Sequence, residues 1–234
     1  MPVTHAGDID MYYELHGAGE PLVLIGGLGS DLSQWAWLTD WCAQTHRVLA
    51  FDNRGAGRTD KPDSPYTIPM MANDTDALME TVGLSNATIL GISMGGRVAL
   101  DLALEHPDRV AQLILVSTMA SARPLTSMSR MEMLSSLSGL IFRGKHPQPR
   151  YAFTRQREAS RSYDCVDRLS AIHVPTTILH GRRDKIAPLR EAEVVRRGID
   201  GSTLVTFGGG HLFFQTRERK WFFDSVTTAL TQPA

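Results

Sequence analysis

Ser93 stands at the centre of Gly91-Ile92-Ser93-Met94-Gly95, with one more glycine at position 96. A serine hydroxyl is a weak nucleophile. It becomes an effective one when a histidine takes its proton, a carboxylate orients that histidine, and N–H donors await the oxyanion. Two later stretches supply the partners. Asp184 closes His180-Gly-Arg-Arg-Asp184, and His211 follows Gly208-Gly-Gly210. These are the residue types that acyl transfer by a Ser-His-Asp site requires. Seven other histidines compete with His211. His46, His106, His146 and His173 read as surface or helix-end residues, and His180 closes an apolar run and reads as packing. The three glycines before His211 let a late loop bend back toward the serine. The rival position for the acid, after Val116, holds Ser117 and Thr118, so no carboxylate competes there.

The elements that must position these residues are legible in the hydrophobic pattern. Ala87–Ile92 is a short apolar run that reads as a buried strand, and Arg97–Leu104 reads as a helix. A strand that reverses into a helix within a few residues forces a strained backbone at its apex. Glycines two positions to either side make room for it. The apex side chain then projects beside the positive end of the following helix. Ile9–Leu15 alternates apolar and polar residues, as a strand with one buried face does. Pro21–Ile25, Arg47–Phe51, Val110–Val116, Val174–Leu179 and Thr203–Phe207 read as further strands. Helices are expected from Asp31 or Ser33 through Trp35, Trp37 and Trp41, and at Thr67–Val82, Leu189–Arg197 and Arg217–Leu230. Alternating strands and helices imply crossover connections and a mostly parallel sheet, with sites at the carboxyl ends of the strands. Gly26-Gly-Leu28-Gly29, Ser93, Asp184 and His211 all fall just after strands. Asp52, Arg54 and Asp60 lie in a glycine-rich loop and read as structural. Trp35, Trp37 and Trp41 read as core, with one available to line an acyl pocket.

The chain has 234 residues, 42% of them hydrophobic and 21% charged, with a formal net charge of −1. That suits a single domain over 1–234 and gives no basic patch for nucleic acid. No apolar run approaches the roughly 20 residues of a membrane span, and the first residues show no leader pattern. Cys42 and Cys165 have no metal-ligand spacing; they read first as free, buried or half-buried thiols of a cytoplasmic protein and second as a disulfide pair. One segment, 122–168, is too long for a plain crossover. It carries eight arginines and one lysine against four acidic residues, an excess of five positive charges. It is expected to be a lid or cap insertion over the site. Its charge reads first as a solvated helical face, and second as an attractor for a carboxylate-bearing or carrier-linked substrate.

Taken together, Gly26-Gly-Leu-Gly29, Asp52-Asn-Arg-Gly-Ala-Gly57, Gly91-Ile-Ser-Met-Gly95, His106-Pro-Asp-Arg-Val110, Pro175–Gly181 with Asp184 and Pro188, and Gly210-His211 resemble the α/β-hydrolase superfamily over essentially the whole chain. Within it the sequence is most similar to the small serine esterase, enol-lactonase and carbon–carbon hydrolase group. The resemblance implies an α/β fold, with a mostly parallel sheet flanked by helices and a short helical lid. It implies Ser93 as nucleophile, His211 as base and Asp184 as orienting acid, with the backbone N–H groups of Leu28 and Met94 as the oxyanion hole. No cofactor and no metal are expected. The implied activity is hydrolysis of a small carboxylic ester, lactone or thioester, carboxylesterase-like (EC 3.1.1), by a monomer or homodimer. Carbon–carbon or enol-lactone hydrolysis and perhydrolase side activity by the same triad remain open, as does a slow-turnover receptor or signalling protein. Where the family often has His-Gly-x-Gly, this chain has Gly26-Gly-Leu-Gly29, which implies a looser oxyanion loop.

Overall fold

The computed structural model describes residues 2–121 and 144–231. Among them lies one eight-stranded sheet: β1 (Val3–Ala6), β2 (Ile9–His16), β3 (Glu20–Ile25), β4 (His46–Phe51), β5 (Ala87–Ile92), β6 (Val110–Val116), β7 (Thr176–Gly181) and β8 (Thr203–Phe207). The spatial order is β1-β2-β4-β3-β5-β6-β7-β8. β1 and β2 pair antiparallel, as do β2 and β4, and every later pairing is parallel. The helices are α1 (Ala36–Cys42), α2 (Ile68–Thr81), α3 (Met94–Glu105), α4 (Arg150–Ser162), α5 (Leu189–Gly198) and α6 (Arg219–Leu230). None of them is long and apolar enough to cross a membrane.

The continuous apolar runs are explained by burial on both faces. In β3, Val23 and Ile25 join one core layer with Met71 and Leu78 of α2 and Val98 of α3, whereas Leu22 and Leu24 join the other. β6 divides in the same way, Leu113 and Leu115 to the first layer and Ile114 and Val116 to the second. Successive side chains of a strand point to opposite faces, so both sets must be apolar when helices cover both. The second layer is aromatic. Phe207, Phe213, Phe214 and Phe222 are fully buried there beside Trp35.

Three local details differ from the sequence expectation. β1 is a short, mostly exposed strand, and four residues carry too little pattern to announce it. α2 begins at Ile68 because the Thr67 hydroxyl caps it, accepting the Met70 N–H at 3.1 Å. α3 begins at Met94, three residues before the expected start, so Gly95 and Gly96 lie in its first turn. Their poor helix propensity hides this, and tertiary packing overrides it. A Cβ on Gly95 would collide with the Ile25 carbonyl, and one on Gly96 would reach the Thr118 side chain. Part of the expected lid, 122–143, falls outside the described residues. The remainder contains α4.

Candidate active site

β5 hands over to α3 at Ser93, whose backbone takes φ 55° and ψ −113°. A non-glycine residue rarely adopts this conformation, and the surroundings hold it there. The Ser93 N–H donates to the Val116 carbonyl at 2.9 Å. Its carbonyl accepts from Thr118 Oγ1 at 2.7 Å and from the Gly96 N–H at 3.0 Å. The side chain projects at the carboxyl edge of the sheet, over the start of α3.

The two later residues converge on it. His211 Nε2 lies 3.0 Å from Ser93 Oγ. His211 Nδ1 lies 2.7 Å from Asp184 Oδ2, so the carboxylate fixes the tautomer with its proton on Nδ1. Asp184 is sealed from solvent while His211 keeps 15% side-chain exposure, open to an incoming substrate. The other oxygen of Asp184 accepts the Ile186 and Ala187 N–H groups at 2.8 and 2.9 Å. These bonds immobilise the acid without consuming the oxygen that faces His211.

The histidine loop is held at both ends. Glu218 accepts from the Gly208 and Gly209 N–H groups at 2.6 and 2.7 Å, and Ser117 Oγ donates to the His211 carbonyl at 2.8 Å. Ser117, in the rival position for an acid, therefore supports His211. Neither role is visible in the sequence: Glu218 is separated from the glycines it holds by a turn, and Ser117 follows a different strand, β6. His180 is buried in β7, as expected of packing, but its Nε2 also lies 3.6 Å from Asp184 Oδ2.

The candidate oxyanion donors bracket Ser93. Met94 opens α3, where backbone N–H groups have no helical acceptor. Leu28 lies beside Gly27, where an added Cβ would come within 3.5 Å of Ser93 Cβ. Among the described residues, the Leu28 N–H donates to no other backbone or side-chain acceptor. The expected looseness of this loop is not found. Asn53 Nδ2 donates to the Gly26 carbonyl at 3.1 Å, and Ser30 Oγ to the Gly27 carbonyl at 2.7 Å. Asp52 supports the neighbouring turn by accepting the Leu32 and Arg58 N–H groups at 2.7 and 2.8 Å. Burial nonetheless pushes its pKa up. Cys42 and Cys165 are free and buried, and burial raises their thiols to about 12 and about 11, far from a reactive thiolate. Among the described residues no three His, Cys, Asp or Glu side chains are grouped as metal ligands would be.

Comparison with known proteins agrees with the fold. A family model described as the alpha/beta hydrolase fold matches residues 20–142. RutD of Azorhizobium caulinodans, named for carbamate hydrolysis, is 28% identical, with 91% of this chain and 92% of that protein covered. The AB hydrolase superfamily protein YisY of Bacillus subtilis is 31% identical, with 90% and 92% covered. Among solved structures, an esterase from Exiguobacterium antarcticum superposes with a TM-score of 0.87 at 27% identity, covering 98% of this chain and 99% of that one.

Proposed function

The chain belongs to the α/β-hydrolase family, and from that premise we propose that it is a serine hydrolase of small carboxylic esters, lactones or thioesters. The hydrogen-bonded line Ser93–His211–Asp184, at 3.0 and 2.7 Å, carries this reading. His211 takes the Ser93 proton as Oγ attacks the substrate carbonyl carbon. Asp184 holds the imidazole in place and stabilises its positive charge. The oxyanion forms between the Leu28 and Met94 N–H groups, and losing one such donor costs on the order of 10² to 10³ in rate. The tetrahedral intermediate collapses as His211 returns the proton to the leaving alcohol, leaving Ser93 acylated. Water, deprotonated by His211, then hydrolyses the acyl-enzyme. Every step uses side chains and backbone groups of this chain.

Ser93→Ala tests the reading. Turnover of a p-nitrophenyl ester and labelling by a fluorophosphonate should both vanish while the melting temperature is kept. Retained turnover would refute the assignment. The relative named for carbamate hydrolysis favours a second reading with the same triad, in which the leaving group is attached through nitrogen. A panel of esters, lactones, carbamates and diketones ranked by kcat/KM separates the two.

The substrate class is extended by charge. In the proposed lid, Arg155 pairs with Asp63 and Glu158, and Arg168 with Glu105. Arg150, Arg157 and Arg161 have no carboxylate partner among the described residues. This supports a carboxylate-bearing or carrier-linked substrate. Reversing these charges should then lower kcat/KM for anionic esters and spare neutral ones. Two buried free thiols fit a reducing compartment, hence the cytoplasm.

A further inference from the structure

The two peptide planes that flank Leu28 are fixed by different parts of the molecule. The first contains the Gly27 carbonyl and the Leu28 N–H, which point in opposite directions because the peptide is trans. Its carbonyl accepts from the Ser30 N–H at 3.2 Å and Ser30 Oγ at 2.7 Å. The indole of Trp35 in turn donates to Ser30 Oγ at 3.1 Å. Both anchors belong to Ser30, so this plane keeps its direction only while the link from Leu28 through Gly29 to Ser30 keeps its shape. The second contains the Leu28 carbonyl and the Gly29 N–H. Gly29 has φ +75°, a left-handed conformation in which glycine turns freely, so nothing local prevents this plane from rotating.

It is held from outside. The Gly29 N–H donates to Gln156 Oε1 at 3.1 Å. Gln156 comes from the middle of α4 and is fully buried. Its Nε2 donates to the Arg54 carbonyl at 2.7 Å, and its Oε1 also accepts from Gln148 Nε2 at 3.3 Å. A carbonyl faces the amide nitrogen and two N–H groups face the amide oxygen, so the carboxamide has one satisfactory orientation. A single side chain thus ties the loop after β3 to the loop after β4 and to α4.

We propose that Gln156 is a positioning residue for acyl transfer: by holding the Leu28–Gly29 peptide it keeps Ser30 in place, and Ser30 in turn keeps the Gly27–Leu28 plane oriented with the Leu28 N–H aimed at the oxyanion. The oxyanion hole is then complete only while α4 is seated. This also supplies a reason for the firmness of a loop that lacks the family's histidine. The proposal rests on the serine-hydrolase reading above.

The test compares wild type, Gln156→Met, which keeps the volume and removes all three bonds, and, as control, Arg155→Gln at a half-buried position of the same helix. With a p-nitrophenyl ester, Gln156→Met should lose about 10- to 100-fold in kcat with KM within about twofold, somewhat less than deletion of a donor. The affinity of a trifluoromethyl ketone, which forms the oxyanion on Ser93, should fall by the same factor. Arg155→Gln should match wild type. Equal kcat in Gln156→Met and wild type, or a loss confined to KM, would overturn the proposal. Hydrogen exchange of the Gly29 amide in the wild type keeps the test decisive should Gln156→Met fail to fold: protection supports the bond, and exchange at the rate of an open loop refutes it. If wild-type Ser93 neither reacts with a fluorophosphonate nor turns over any ester, the hydrolase reading itself has failed and this proposal with it.

Discussion

Nε2 of His180 lies 3.6 Å from Oδ2 of Asp184, with neither side chain exposed to solvent. That nitrogen donates to the Ala187 carbonyl at 2.7 Å, and the Ala187 N–H donates to the other oxygen of Asp184 at 2.9 Å. The histidine and the acid therefore grip one residue from its two sides. The arrangement requires a neutral imidazole with its proton on Nε2, which leaves Nδ1 buried with no hydrogen-bond partner among the described residues.

A pH dependence of stability follows. Burial lowers the pKa of His180 below 6.5, outweighing the bond to Ala187 and the charge of Asp184, both of which raise it. The unfolded chain regains an ordinary value. As pH falls below about 6.5 the unfolded state binds the extra proton first, so stability is intact above that value and declines beneath it. His180→Gln can keep the bond to Ala187 but does not titrate. Urea unfolding between pH 7.5 and 5 should show wild type losing stability relative to this variant as the pH drops. Parallel curves would refute the assignment.

Ser93 separates stability from activity. Its φ of 55° with ψ −113° is a conformation that glycine adopts without strain. Ser93→Gly should raise stability by about 1 kcal/mol, the strain relieved less the entropy glycine loses on folding, and abolish turnover. A destabilised Ser93→Gly would mean that the elbow stores no strain.

Much of this architecture was legible because it is written in local pattern. The run Ala87–Ile92 ahead of Gly91-Ile-Ser-Met-Gly95 marked the elbow, and Asp184 and His211 each stood just after a strand. The supports were not legible. Gln156 sits among arginines in a helix of low apolar content, and its partner Gly29 is 127 positions away. Ser117 is 94 positions from His211. Such contacts depend on where the topology brings loops together, and a hydrogen bond from a buried amide or hydroxyl leaves no periodicity behind. The start of α3 was hidden for a related reason: Gly95 lies against the Ile25 carbonyl and Gly96 against the Thr118 side chain, close approaches that override poor helix propensity.

Glu218 should act on the rate more than on binding. Its two oxygens hold consecutive amides just upstream of His211. Glu218→Ala frees both, and small misplacements of a catalytic group are costly. A loss of about 10-fold in kcat is expected, with KM little changed and Glu218→Gln intermediate, because a carboxamide can still accept from one amide. Steady-state kinetics on one ester decide it, and a change confined to KM would contradict the role.

Arg54 tests the frame beneath the site. Its guanidinium donates from Nε and Nη2 to the two oxygens of Asp74, at 2.8 and 2.6 Å, with both residues buried, and it also contacts exposed Asp8. Burial opposes its charge, but the two carboxylates outweigh burial and hold its pKa above the ordinary value. The same residue's carbonyl accepts from Gln156. Removing only the cation strands Asp74 in the core, so Arg54→Leu should cost about 3–5 kcal/mol. Removing both charges leaves no stranded group, and the double variant Arg54→Leu with Asp74→Leu should recover most of that loss, since buried pairs replaced by apolar residues are often close to neutral. Urea denaturation of the two single variants and the double variant measures the coupling. Additive losses would mean that the pair is not coupled.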